Sequence, residues 1–139
     1  MKKILLDINV ILDILLDRKP HVVASSQIWA AIEAGRIKGL VSAHGVTTIY
    51  YLVRKARGSA MARRTIGTIL QLLEVAPVDG NVIKSSLLLA WPDFEDAVTA
   101  AAAQAAGCDA IVTRDPKGFP NSQVRVLTPE TAAALLVKI

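Results

Sequence analysis

Carboxylates in this 139-residue chain stand where apolar runs begin or end. Asp7 follows "KILL", and Asp115 lies two residues past "AIVT". Asp93, Glu95 and Asp96 open an alanine-rich stretch that runs to Gly107. Alanine is the best helix former and does not need acids at its head to fold. Carboxylates brought close together repel one another unless a cation holds them. Two histidines, His21 and His44, and a lone Cys108 cannot make a zinc-type nitrogen and sulfur site, so a cation here would sit on oxygen. Mg²⁺ or Mn²⁺ suits such a donor set, and the usual chemistry is hydrolysis or transfer at phosphate. Most of these acids also have a plain structural reading. Asp93 can N-cap the alanine helix, and Asp96 sits where capping-box acids and the helix dipole favour negative charge. Glu95 reads as solvated, and Asp115 as a turn residue before Pro116. Asp7 has no such role, because Asn9 is the better-placed cap for the helix that follows.

The elements that must position these groups alternate along the chain. Lys2 to Leu6 reads as a strand, followed by helices over about 10–16 and 21–34, the second stopped by Gly35. A strand over 37–42 leads into a helix over 43–57 that Gly58 ends, and Ser59 caps a helix reaching Leu72. "LEVAPV" is strand-like, and Asp79 caps a helix ending near Trp91 and Pro92. Asp93 caps the alanine helix, "DAIVT" is a buried strand and "VRVLT" an edge strand. Thr128 then caps a last helix with Pro129 at its first position. Alternating strands and helices predict an α/β fold, a three-layer α/β/α sandwich around a mainly parallel sheet, with residues 1–139 as one domain. Ligands gather at the carboxyl ends of such strands, near a topological switch point. That places Asp7, Asp115 and the acidic first turn on one edge.

A hydrophobic share of 53% with only 4% aromatics implies an aliphatic interior with both sheet faces covered. The apolar runs are too short to span a membrane. Asp7 and Asp13 interrupt the N-terminal run, which therefore does not read as a signal peptide. One cysteine excludes an internal disulfide and fits a reducing, cytoplasmic setting. Arg54, Lys55, Arg57, Arg63 and Arg64 fall within eleven residues that hold no acid. Such a run can face a polyanion, or simply favour a helix C-terminus before Gly58. Tyr50, Tyr51 and Leu52 beside it read either as core or as an interface.

Three segments, "LLDINVILDILLDR", "DFEDAVTAAAAQAAGCDAIVTRDPKGF" and "VLTPE", follow one another in an order that resembles the PIN-domain family over nearly the whole chain. The chain is most similar to the VapC-type toxin ribonucleases within it. The resemblance implies a Mg²⁺- or Mn²⁺-dependent endoribonuclease acting on RNA, often a homodimer and often silenced by a cognate antitoxin. It implies Asp7, Asp96 and Asp115 as catalytic metal-binding acids. Asn9 would brace the turn at Asp7, Asp93 would support Asp96, and Thr113 would position Asp115 or a water. The basic run would guide the RNA backbone, or dock an acidic antitoxin tail. One departure is Thr48, which matches the position where many PIN nucleases carry Glu. A hydroxyl can hold a water on a metal but supplies no charge, so a second metal would bind more weakly. A catalytically weak or inactive PIN-fold module that binds RNA or protein is the alternative. A dehalogenase-like phosphatase would need an acid where Asn9 stands, and a receiver domain would need a paired acid near the start.

Overall fold

The computed structural model describes residues 1–137. Five strands form one all-parallel sheet: β1 (Lys3–Leu6), β2 (Lys38–Ser42), β3 (Glu74–Ala76), β4 (Ala110–Val112) and β5 (Arg125–Leu127). Their spatial order is β3-β2-β1-β4-β5. Helices α1 (Ile8–Leu15) and α2 (Val22–Glu33) link β1 to β2, and α3 (Ala43–Arg57) and α4 (Ser59–Leu72) link β2 to β3. Helices α5 (Gly80–Leu89) and α6 (Phe94–Ala105) carry the chain back across the sheet to β4. A 3-10 turn over Pro116–Gly118 precedes β5, and α7 (Pro129–Val137) closes the described chain. This is the expected three-layer sandwich.

Period-two alternation assigns the two faces of the sheet. Ile4 and Leu6 point into a core shared with Val10, Ile28, Ile49 and Leu136, under α1 to α4 and α7. Leu5 and Ile111 point the other way, onto Val82 of α5 and the alanines of α6. Ala97 and Ala100 to Ala103 are all buried. A methyl is the smallest side chain that still covers apolar surface, so α6 lies close on the sheet and its acidic first turn reaches the strand ends. The composition thus serves the placement of the acids.

The chain steps from β1 outward to β3 and returns to β4 on the opposite side of β1, so the crevice lies above the carboxyl ends of β1 and β4. Here the structure corrects three expected helix ends. Helix α1 starts at Ile8, and its cap is Asp7, not Asn9. Asp7 has extended backbone (φ −64°, ψ 152°), and its Oδ1 accepts the Ile8 amide at 2.8 Å. Its carbonyl already accepts the Val10 amide at 3.0 Å. No linker separates strand from helix, so the turning residue is the one directly after β1. Gly58 (φ +88°) precedes α4, which leaves Ser59 as the first helical residue rather than its cap. Helix α5 stops short of Trp91, at a left-handed Ala90 (φ 54°).

Packing is closest at Gly39 in β2. A Cβ there would lie 2.5 Å from Ile32 Cδ1 and 2.8 Å from Leu73 Cδ2. Gly39→Ala should therefore overpack this layer and cost about 1–3 kcal/mol. Urea unfolding checks this: the midpoint should fall with an unchanged slope, and an unchanged midpoint would show that the layer yields freely.

Candidate active site

Thr113, fully buried just past β4, ties the site together. Its hydroxyl donates to Asp7 Oδ2 at 2.8 Å and accepts the Asp115 amide at 3.1 Å. Asn9 Nδ2 approaches the same oxygen at 3.4 Å, and Asn9 Oδ1 accepts the Arg114 amide at 3.4 Å. One side chain thus bridges the ends of β1 and β4. From the other face of the sheet, Asp93 caps α6 by accepting the Asp96 amide at 3.0 Å. The 3-10 turn folds Gly118 back under the acids. A Cβ on Gly118 would lie 2.7 Å from Asp96 Oδ2 and 3.2 Å from Asp115 Oδ2. Gly118 thus packs against both carboxylates, and any larger side chain there would press on Asp96.

Asp7, Asn9, Asp93, Asp96 and Asp115 line one cavity of about 310 Å³. Two further residues of consequence line it as well. Glu95, read from the sequence as solvated, is exposed but stands at its wall. His44, in the first turn of α3, completes it. Thr48, one turn further along α3, does not line it. Thr48 borders a neighbouring groove with Phe94 and Ile83, and its hydroxyl reaches Glu95 Oε1 at 3.5 Å. The spacing of His44 in the sequence gives it no role beside the acids; only the register of α3 on the sheet turns it toward them. Thr99 Oγ1 donates its one proton to the Glu95 carbonyl at 3.0 Å. His44 Nε2, 3.3 Å away, is therefore assigned as the protonated nitrogen that donates to Thr99.

Burial pushes the Asp7 carboxyl above its ordinary value, against the opposing hydrogen bonds from Thr113 and Ile8. Asp96 is pushed up to about 7, first by burial and then by Asp93, Asp7, Asp115 and Glu95. Burial holds His44 below its ordinary value although Glu95 and Asp7 pull the other way. The donor set is thus oxygen-rich, crowded and short of counter-charge, which fits a hard divalent cation. Among the described residues, no three His, Cys, Asp or Glu side chains are grouped closely enough to hold one ion by themselves. An ion that keeps part of its water shell, as Mg²⁺ does, fits that spacing.

The basic residues are placed elsewhere. Arg54, Lys55 and Arg57 end α3, and Arg63 and Arg64 lie in the first turns of α4. All five are exposed, and none lines the cavity. At 1.5 Å per residue, Arg57 is about 20 Å along α3 from His44. Tyr50 packs against the core, whereas Tyr51 is exposed with Arg54 5.5 Å over its ring. The two tyrosines thus divide between the two readings.

The family model for the PIN domain matches residues 3–117. The chain belongs to the PIN domain family. Ribonuclease VapC1 of Aquifex aeolicus (strain VF5) is 28% identical over 134 residues, covering 93% of this PIN domain chain and 92% of that protein. Among solved structures, VapBC2 from Rickettsia felis bound to a DNA fragment from their promoter superposes with a TM-score of 0.69 at 14% identity. It covers 91% of this chain and 98% of that one. VapC20 of Mycobacterium tuberculosis, a sarcin-ricin loop cleaving toxin, gives 0.64 at 16% identity, over 78% of this PIN domain chain and 86% of that one. At these identities the structural likeness speaks for the fold.

The crowding at Asp96 has a measurable sign. Its folded value of about 7 lies above the ordinary 3.8, so between those pH values the folded state binds the extra proton. Without a cation, the carboxylate's unfavourable contribution grows as pH rises from about 4 to about 7 and is fully present above. Asp96→Asn should therefore raise the melting temperature in EDTA more at pH 8 than at pH 5. Equal shifts at both pH values would mean that Asp96 is not crowded.

Proposed function

We propose that this chain is a Mg²⁺- or Mn²⁺-dependent endoribonuclease that acts as the toxin of a toxin–antitoxin pair. The observation that carries this reading is the cavity above β1 and β4, with Asp7, Asp96 and Asp115 on its wall. The likeness to Ribonuclease VapC1 supports RNA as the substrate, and the likeness to VapBC assemblies supports a cognate antitoxin as partner. In this reading Asp7, Asp96 and Asp115 hold the cation. Asn9 and Thr113 fix Asp7 and the Asp115 turn, and Asp93 orients Asp96 through its cap. Glu95, at the same wall, adds a carboxylate close to where Thr48 supplies only a hydroxyl. When bound, such a cation polarises a phosphoryl oxygen and acidifies the attacking water. The chain's own part is to place the phosphate and to exclude water from the Asp7 side, where Thr113 and the strand ends are buried.

The basic residues at the α3–α4 junction do not line the cavity that would hold the scissile phosphate. They attract neighbouring phosphates of the RNA, because an acidic cavity alone repels the backbone. A homodimer belongs to the same reading, since Tyr51, Leu87 and Leu88 leave apolar surface exposed, Leu88 by 85%. We place the protein in the cytoplasm, in keeping with its free, buried Cys108. No described helix is long and apolar enough to cross a membrane. The second reading, an inactive PIN-fold binding module, is favoured by Thr48 alone.

Asp7→Asn and Asp96→Asn each remove a charge from the cation's holders. Losing several kcal/mol of charge stabilisation lowers the rate roughly 100-fold or more. Asp115→Asn should cost less, because an amide oxygen still coordinates. Cleavage of a labelled RNA should need Mg²⁺ or Mn²⁺ and stop in EDTA. Full metal-dependent activity in Asp96→Asn would leave that acid as a helix cap only, and RNA left intact with either metal would favour the binding module.

Arg63→Ala with Arg64→Ala should weaken binding to all RNAs alike, since phosphate contacts carry no sequence information. The salt dependence of binding should flatten by roughly one to two units of slope. A salt series with the protein alone tests this. An unchanged slope would move the patch to the partner interface.

A further inference from the structure

Asp13 lies in α1, with its side chain 0% exposed. Neither of its carboxylate oxygens accepts a well-aligned hydrogen bond. Its compensation is charge: Arg114 Nε lies 2.7 Å from Oδ2, and Arg18 Nη1 3.8 Å from Oδ1. A buried carboxylate without a partner is costly, and even a paired one rarely outperforms an apolar pair of the same shape. Stability alone is therefore a poor reason for this pair. Its location offers a better one. Arg114 stands between Thr113, which bridges to Asp7, and Asp115, whose carboxylate lies with that of Asp96 against Gly118. Helix α1 grips this residue twice, by Asn9 on its backbone amide at 3.4 Å and by Asp13 on its guanidinium. Asp115 itself is exposed, and among the described residues the only side-chain hydrogen bond it makes is from its amide to Thr113.

We infer that Asp13 and Arg114 are a positioning pair that fixes the turn from Thr113 to Gly118 against α1 and so sets the Asp115 carboxylate at the cavity. The pair touches neither cation nor RNA; it acts through Asp115. The catalytic readout of this inference rests on the proposed nuclease function, and its structural readout does not.

Arg114→Met alone would strand the buried Asp13 charge and endanger the fold. The discriminating variant is D13L/R114M, which replaces the pair by apolar groups and leaves Arg18, 42% exposed, free to meet water. Its melting temperature should match or exceed that of the parent. Amide exchange over 113–118 should accelerate, while exchange in β1 and β4 stays slow. Mn²⁺ affinity by calorimetry and kcat on RNA should each fall roughly 10- to 100-fold, the usual cost of losing support behind a metal ligand. KM for RNA should stay unchanged. Should the double variant not fold, D13N, which leaves Arg114 free to solvate, is read in the same way. Parental exchange over 113–118 together with parental Mn²⁺ affinity would overturn the inference and leave the pair a structural ion pair. If the parent protein cuts no RNA, the nuclease reading falls, and the exchange measurement still decides this one.

Discussion

The hydroxyl of Thr113 is the point on which the site depends. A parallel sheet brings strand ends to one edge but does not hold the loops beyond them in register. Thr113 does so by giving its proton to Asp7 and its lone pairs to the backbone amide of Asp115 and the side-chain Nδ2 of Asn9. The bond to Asp7 is buried, where a hydrogen bond to a charged group is stronger than at the surface. The two strand ends flanking the switch point are therefore tied to each other by side-chain hydrogen bonds. The third carboxylate comes from the opposite layer, and its placement rests on α6 lying close to the sheet through its buried alanines.

This arrangement works against the stability of the folded chain. Asp7 and Asp96 are both pushed toward their protonated forms, chiefly by burial; Glu95 adds to this at Asp7, and Asp93, Asp7, Asp115 and Glu95 add to it at Asp96. Such strain is expected where a fold holds groups for use rather than for stability. The cost is carried by an aliphatic core on both sheet faces, in which residues such as Ile4, Ile11, Ile28, Ile49 and Ile111 are wholly buried. A divalent cation would relieve the crowding, so binding and folding should be linked.

Much of this was legible in the sequence, for physical reasons. Strands ended by acids, glycines after helices and an Asp before an alanine run are local signals, and the elements they predict are found within a few residues. The alternation of strands and helices brings Asp7, Asp115 and the acidic first turn of α6 to one edge, and the resemblance to PIN-domain nucleases picks Asp7, Asp96 and Asp115 from among them. What failed was local detail that depends on contact. Asp7 is both cap and candidate ligand, because β1 runs into α1 without a linker. His44 and Glu95 reach the cavity through the docking of α3 and α6, which no spacing encodes. The basic run was legible as exposed charge, but its distance from the acids follows from the length of α3. The role of Asp13 was hidden, since a lone acid in an apolar helix shows its partner only when the chain is folded.

In the proposed function, the Thr113 bridge assembles a cation site from the ends of β1 and β4. Mn²⁺ titration calorimetry on the parent protein and on Thr113→Val tests it most directly, because valine keeps the shape and removes the hydroxyl. The parent should bind Mn²⁺, and the variant, still folded, should bind it roughly 10- to 100-fold more weakly. Equal Mn²⁺ affinity in the two folded proteins would contradict it.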